Sequence, residues 1–334
     1  MGRVWSRREF LTAAGSLALA SSLPLPGQAI GGSLRNLFGP SARLTPAITP
    51  NDEFYVTSYR SPPSIDAGTW NLAVTGLVEK PIHVTYAQLL ALPRVREVVT
   101  LECVGNNVAG DAISTAEWEG VPLKLLLEEA RVTSKAYDLV LRAADGYSDS
   151  MTVERAMAGD VLVAHGMNGA PLPQGHGFPA RIIVPGAYGM KHVQWLTQIE
   201  LVDHDYQGYY QRKGWTDDAV VKTTSRIDLP EHGSTLHGRT YTVQGLAFAG
   251  TRGIRQVELS MDEGTTWHQA DLDPEISSSA WRFWSYRWSL PAPGRYSLLV
   301  RATDGTGRLQ TSIEEGPAPD GATGLHEITV TVGA

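Results

Sequence analysis

Cys103 is the residue with the clearest chemical potential, because it is the only cysteine in the 334-residue chain. The apolar run at residues 96–102 predicts a strand, and Gly105, Asn106 and Asn107 predict a turn after it. A thiolate on a turn at a strand end is placed to bind a metal or to act as a nucleophile. A lone cysteine also often packs as a small buried hydrophobe. The local pattern leaves all three roles open.

Two basic residues, His176 and Arg181, lie in a stretch rich in glycine and proline. An arginine offers a planar fork of donors that suits phosphate groups. Taken alone, Arg181 is equally compatible with a solvated charge at a strand end, and His176 with a loop residue that caps a turn.

Short strands and short helices alternate irregularly in the first part of the chain. Residues 70–76 and 138–144 predict strands, whereas 85–92 and 121–130 predict helices, the first of them capped by Thr85 and stopped by Pro93. This mixture predicts an α+β domain rather than a doubly wound one. No Gly-x-Gly-x-x-Gly motif opens a helix after a strand, so a dinucleotide-binding unit is not supported.

The last third of the chain changes character from about residue 226. Apolar and polar residues alternate in runs separated by Gly, Pro and Asp turns, at residues 241–248, 256–261, 267–272, 283–290, 296–303 and 327–332. Such closely spaced strands predict an immunoglobulin-like sandwich. The missing cysteine pair argues against an antibody-type domain.

The N-terminus has the pattern of an export signal. The pair Arg7-Arg8 precedes an apolar run and a small-x-small site at residues 27–29, so residues 1–29 are predicted to be a twin-arginine signal peptide. Residues 30–50 are predicted to be a linker. The net charge of −7 without a long basic run argues against a nucleic-acid partner. We therefore expect a periplasmic or otherwise exported protein.

Four stretches of the chain, taken together, resemble the sulfite oxidase family of molybdenum enzymes. They are residues 101–106, 113–123, 167–186 and 188–196, and they occur in this order before the predicted sandwich. The resemblance implies a mixed α+β molybdopterin-binding domain of the sulfite oxidase type at residues 51–222. It also implies that the all-β immunoglobulin-like domain at residues 223–334 mediates dimerisation.

The resemblance further implies a molybdenum atom held by the dithiolene sulfurs of one molybdopterin and by the thiolate of Cys103. A soft thiolate suits such a sulfur-ligated redox centre. The positions that match the family's cofactor-contacting residues are Tyr55, Val56, Thr57, Ser58, Tyr59, Asp145, His176, Arg181, His192, Val193 and Gln194. The segment containing residues 55–59 is expected to be a strand. Trp118 matches a tryptophan of the pocket wall, and Trp215 is matched to the family's substrate-binding tyrosine.

Two departures from the family pattern concern the substrate. Sulfite oxidases have arginines where this chain has Thr57 and Val108, and a sulfite dianion in a partly dry pocket needs such partners. We therefore expect a molybdopterin-dependent oxidoreductase that transfers oxygen at a small sulfur compound, with weak sulfite oxidation. The alternatives are an S-oxide or N-oxide reductase and, in another class, a non-enzymatic secreted binding protein.

A separate electron-transfer partner is expected, because one cysteine cannot form a Cys-x-x-Cys-His haem site and no haem in this chain is predicted. A c-type cytochrome or a membrane haem protein would fill this role.

Overall fold

The computed structural model describes residues 3–4 and 45–334 of the chain. The predicted signal peptide and most of the predicted linker therefore lie outside the described residues, apart from Arg3–Val4. The described part is mostly β with a few short helices. The α+β and immunoglobulin-like assignments stay predictions.

The first unit contains two sheets and the short helices. Its strands are β1 (Arg3–Val4), β2 (Asn71–Gly76), β3 (Ile82–Thr85), β4 (Val95–Glu102), β5 (Ile113–Pro122), β6 (Asp138–Ala143), β7 (Ser148–Thr152), β8 (Leu162–Met167), β9 (Ala170–Pro171), β10 (Arg181–Ile183) and β11 (Leu196–Val202). Among the described residues, one sheet has the order β1-β3-β2-β11-β6-β7 and the other β10-β8-β5-β4, with β9 paired to β8.

The helices of this unit follow from local sequence. They are α1 (Tyr86–Ala91), α2 (Leu123–Ala130) and α3 (Val153–Ala156), with 3-10 turns at Gln174–His176, Gly189–Lys191 and Gln211–Lys213. Thr85 and Gln88 form a capping box at the start of α1, so the predicted threonine cap is confirmed. Helix α2 begins directly after Pro122 and ends at Ala130, and Arg131, which follows it, has the left-handed conformation.

The second unit consists of strands with alternating burial. They are β12 (Thr224–Leu229), β13 (Thr235–Leu236), β14 (Thr240–Phe248), β15 (Ile254–Ser260), β16 (His268–Gln269), β17 (Asp271–Leu272), β18 (Arg282–Ser289), β19 (Gly294–Asp304) and β20 (His326–Val332). Within the described chain they form two sheets, β12-β14-β18-β17 and β13-β20-β19-β15-β16. Inward-facing residues of both sheets, including Val243, Trp284 and Val300, share one hydrophobic core.

The two units are joined by a hydrophobic cluster and by hydrogen bonds to β4. The cluster combines Val104 and Tyr188 of the first unit with Phe248 and Trp281 of the second. Thr100 of β4 donates its backbone N–H to the carbonyl of Ser279 at 3.0 Å. The strand that leads to Cys103 is thus supported by both units.

Candidate active site

An open cavity lies beside Cys103. Six segments of the first unit contribute to its wall, and they come from distant parts of the sequence. The lining residues are Phe54, Tyr55, Thr57, Ser58, Tyr59, Leu101, Cys103, Val104, Asp145, Tyr147, Arg181, Gly189, Met190, His192, Val193, Gln194, Trp195 and Tyr210. Most of the residues predicted to contact a cofactor are therefore brought together.

Cys103 follows directly after β4, and the predicted strand and turn are both confirmed. The backbone N–H of Cys103 donates to Ala112 at 2.9 Å, and its carbonyl accepts from Asn106 at 2.9 Å. The Asn106 side chain donates to Glu102 Oε1 and accepts from the Ala112 N–H, which closes the turn. The thiol is half-buried and lines the cavity, so its position fits a ligand or a nucleophile.

Arg181 is a buried cation at the cavity wall, with 4% of its surface exposed. Its Nη1 and Nη2 donate to the carbonyls of His176 and His192 at 2.9 and 3.1 Å, and the guanidinium packs on Trp118. No acceptor among the described residues pairs with its Nε. Burial lowers the pKa of Arg181 to about 10, so it stays charged at neutral pH. Its contacts are to neutral groups, which leaves its charge available to an anion.

The two predicted histidines support Arg181 through their carbonyls, while their rings serve the fold. His176 does not line the cavity; its Nε2 donates to the Asn51 carbonyl at 2.7 Å. The His192 ring accepts the Val184 N–H at Nδ1 and donates from Nε2 to the Ala187 carbonyl. Burial, reinforced by Arg181, lowers the pKa of His192 to about 3, so this ring is neutral.

The segment containing residues 55–59 was predicted to be a strand, and this prediction is wrong. It has no regular secondary structure and runs irregularly along the cavity. Tyr55, Thr57, Ser58 and Tyr59 line the cavity, whereas Val56 does not and is 54% exposed. Burial and the nearby Cys103 raise the pKa of Tyr55, so its phenol remains a hydrogen-bond donor at neutral pH.

The remaining predicted cofactor contacts also reach the cavity. Asp145 lines it and accepts the backbone N–H of Tyr147 at 2.9 Å, as in a tight Asx turn. Gln194 donates from Nε2 to the Gly175 carbonyl, and Val193 is buried in the main core of the first unit. The Gln194 side chain therefore serves the fold as well as the cavity wall.

Trp118 and Trp215 are not among the residues that line the cavity, so their role at the substrate stays a prediction. Trp118 is fully buried behind Arg181, and its indole N–H donates to the Val99 carbonyl. Trp215 lies edge-on to Tyr210, with ring centroids 6.0 Å apart, and Tyr210 occupies the wall instead. Tyr210 is only five positions from Trp215 in the sequence. A loose alignment therefore cannot decide which of the two corresponds to the family's substrate-binding tyrosine.

Sequence reasoning also missed Gly189, which lines the cavity, and Lys191, which is buried two residues further on. The Lys191 ammonium is buried and donates to Asp149, Asp217 and the Ser150 carbonyl at 2.8–2.9 Å. A Cβ atom on Gly189 would lie 2.9 Å from the Tyr55 hydroxyl, so only glycine fits there without displacement. The two carboxylates that bind Lys191 are 42 and 26 positions away from it in the sequence. No local sequence pattern therefore predicts that this lysine is buried.

Comparison with protein-family models assigns both units. The family described as "Oxidoreductase molybdopterin binding domain" matches residues 59–210, and the "Mo-co oxidoreductase dimerisation domain" matches residues 217–315. The two matches together span most of both units.

Individual relatives agree with this assignment. Mitochondrial sulfite oxidase of Rattus norvegicus is 30% identical over 311 residues, covering 79% of this chain and 57% of the relative. NADH nitrate reductase of Solanum lycopersicum is 29% identical and covers 78% of this chain and 36% of the relative. The chain thus spans about half, or less, of the curated relatives it matches.

A solved structure of a sulfane dehydrogenase, SoxCD from Paracoccus pantotrophus, superposes with a TM-score of 0.74 at 25% identity. It covers 85% of this chain and 81% of that chain. The fold, the domain pair and the relatives agree on a molybdopterin oxidoreductase. The chain belongs to the sulfite oxidase family of these enzymes, and its cofactor is molybdenum bound to molybdopterin.

The residues around the cavity fit this cofactor. The unpaired Nε of buried Arg181 matches an anionic pterin phosphate, and the Cys103 thiol lines the same cavity as a soft ligand for molybdenum.

Among the described residues no helix is both long and apolar enough to cross a bilayer.

Proposed function

We propose that this protein is an exported oxidoreductase that oxidises a small, weakly charged sulfur compound. The substrate sulfur gains one oxygen atom from water, and the reaction releases two protons and two electrons: R–S + H₂O → R–S=O + 2 H⁺ + 2 e⁻. Molybdopterin-bound molybdenum supplies this two-electron chemistry when it is bound. Cys103 would provide the protein's thiolate ligand, and Arg181 would hold the pterin phosphate.

The observation that carries the substrate class is the charge of the cavity. Among its described lining residues, Arg181 is the only lysine or arginine, and Asp145 is the only carboxylic acid. With Arg181 assigned to the pterin, no second cation remains on the wall for a sulfite dianion. A doubly charged anion would then be desolvated without a partner, which is costly.

Neutral groups dominate the rest of the wall. Tyr55 and Tyr210 lie near Cys103, and the burial of both rings raises the pKa of each phenol. They therefore offer hydroxyl groups that stay protonated, beside the hydroxyls of Thr57 and Ser58. Such donors suit a neutral or singly charged substrate, and the likeness to a sulfane dehydrogenase supports a sulfane-type sulfur.

The remaining parts of the proposal rest on sequence features and on the domain match. The paired arginines before an apolar run support export to the periplasm by the twin-arginine route. The match of the second unit to a dimerisation domain supports a homodimer formed by an immunoglobulin-like domain. The electrons released would pass to a separate carrier, for which a c-type cytochrome is the proposed class.

The test compares specificity constants of the cofactor-loaded enzyme for sulfite, thiosulfate and an organic persulfide, with a dye as electron acceptor. Dimethyl sulfoxide with a reduced dye tests the reverse reaction. We expect the persulfide to be oxidised and sulfite to react poorly. Rapid reduction of dimethyl sulfoxide without oxidation of any sulfur compound would overturn the proposed direction in favour of an S-oxide reductase.

Thr57→Arg tests the charge argument, because Thr57 lines the cavity. One charge-assisted contact is worth roughly 1.5–3 kcal/mol, so the sulfite specificity constant should rise about 10- to 100-fold at 1.4 kcal/mol per tenfold. Val56→Arg adds the same charge one residue away, at an exposed position off the cavity, and should change little. Equal gains in both variants would refute the charge argument.

A further inference from the structure

The turn that carries Cys103 is held by a residue of the second unit. Arg226 on β12 donates from Nη1 to the carbonyl of Gly110 at 3.1 Å. The same guanidinium donates from Nη2 to Thr45 Oγ1 at 2.9 Å and from Nε to Asp228 Oδ1 at 2.7 Å. With a side chain only 14% exposed, Arg226 has its three donor groups fixed by three acceptors.

Gly110 belongs to the same closed turn as the cysteine. Its N–H donates to the Asn107 carbonyl, while the Ala112 carbonyl two residues later accepts from Cys103. A Cβ atom on Gly110 would lie 2.3 Å from Asn106 Oδ1, so the turn has no free volume at this point. A displacement of Gly110 would therefore reach Cys103 through Asn106.

The second unit also holds the residues on either side of the thiol. Val104, directly after Cys103, is 2% exposed and packs in the cluster that includes Leu246 and Trp281 of the second unit. Three residues before the thiol, the Thr100 hydroxyl accepts the backbone N–H of Trp281 at 2.8 Å. The chain is thus anchored to the second unit before the thiol, directly after it and at the end of its turn.

We propose that Arg226 is a positioning residue for the molybdenum ligand, and that the second unit is in this sense part of the active site. The inference rests on the assignment of Cys103 to molybdenum. A guanidinium that binds three acceptors fixes the turn more rigidly than a flexible ammonium could. The turn in turn fixes the direction of the thiolate, on which the strength of its bond to the metal depends.

The test uses the cofactor-loaded enzyme with Arg226→Met. Outer partners of metal ligands typically contribute about 10- to 100-fold to activity or metal affinity. We expect kcat to fall about tenfold with little change in KM, and the electron paramagnetic resonance spectrum of one-electron-reduced molybdenum to shift. Arg301→Met is the matched control, since Arg301 pairs with Glu258 inside the second unit. It should leave both the spectrum and kcat unchanged.

Arg226→Lys keeps the charge but cannot hold three acceptors in one plane, so we expect a smaller spectral shift in the same direction. If Arg226→Met does not fold, the spectrum of Arg226→Lys alone tests the positioning role. A native spectrum in the lysine variant, or the same change in Arg301→Met, would overturn the positioning role.

Cys103→Ser separates the two assignments, because a serine oxygen is a harder ligand than a thiolate. If the spectrum changes in Cys103→Ser but not in the Arg226 variants, the ligand assignment holds and the positioning role fails. If Cys103→Ser has the native spectrum, the ligand assignment itself fails.

Discussion

His192 should make the folded protein sensitive to acid. Its ring receives the Val184 N–H at Nδ1 and donates from Nε2 to Ala187, so protonation at Nδ1 would set two N–H groups against each other. The pKa of His192 is lowered from 6.5 to about 3, chiefly by burial. As pH falls below about 6.5, His192 becomes protonated in the unfolded chain but stays neutral in the folded protein. The free energy of unfolding therefore decreases.

The size of this effect follows from the two pKa values. Between pH 7 and pH 5 the linkage relation gives a loss of about 2 kcal/mol from His192 alone, at 1.36 kcal/mol per pKa unit. The loss would continue to about pH 3, the pKa of the folded protein, and then level off. Because the His192 carbonyl also holds Arg181, cofactor release should accompany any acid-induced opening of this region.

Urea unfolding at pH 7 and pH 5 measures this loss. His192→Gln cannot titrate, so the variant should lose about 2 kcal/mol less than the native protein over this interval. The comparison removes the contributions of His165, His176 and His326, whose pKa values are also lowered by burial. His204→Gln, on an exposed side chain, is the control and should behave as the native protein. An unchanged pH dependence in His192→Gln would refute the reasoning.

Two further variants test the buried cations. Arg181→Ala should lower the molybdenum content per protein, because a buried phosphate loses its charge-assisted bonds; stoichiometric metal in the purified variant would show that Arg181 does not hold the pterin. Lys191→Met leaves fully buried Asp149 without its cation and should lower the free energy of unfolding by roughly 3–5 kcal/mol. Lys222→Met, the control, breaks a half-exposed pair with Asp320 and should lower the free energy of unfolding by about 1 kcal/mol or less. If urea unfolding gives similar losses for Lys191→Met and Lys222→Met, the argument is contradicted.

Local sequence patterns predicted the structure correctly where neighbouring residues alone determine it. Alternation predicted the long strands of the second unit, and β14 and β18 each begin one residue before the predicted run. The predicted run at residues 267–272 instead divides into β16 and β17, because the two halves pair with different sheets. The position of Cys103 after a strand also followed from neighbouring residues alone.

Contacts between distant segments were beyond the same reasoning. Trp118 was expected on the pocket wall, yet Arg181, 63 positions later, lies between its ring and the cavity. Residues 55–59 alternate weakly, but they find no neighbouring strand and remain irregular. Arg226 carries no motif, and its role follows only from the packing of β12 against the Cys103 turn. Each of these outcomes depends on which segments become neighbours after folding.

The contact between β4 and residues 277–281 has a consequence for synthesis of the chain. Strand β4 lies at the end of its sheet. Its outer edge forms hydrogen bonds with Ser277 and Trp281, whose sequence separations from their β4 partners are 179 and 181 residues. During translation this edge therefore stays open until the ribosome has made the chain as far as Trp281, about halfway through the second unit. An open strand edge is prone to pair with other chains. A nascent chain stalled near residue 222 should be an aggregation hazard, and molecular chaperones would be expected to bind it at this edge.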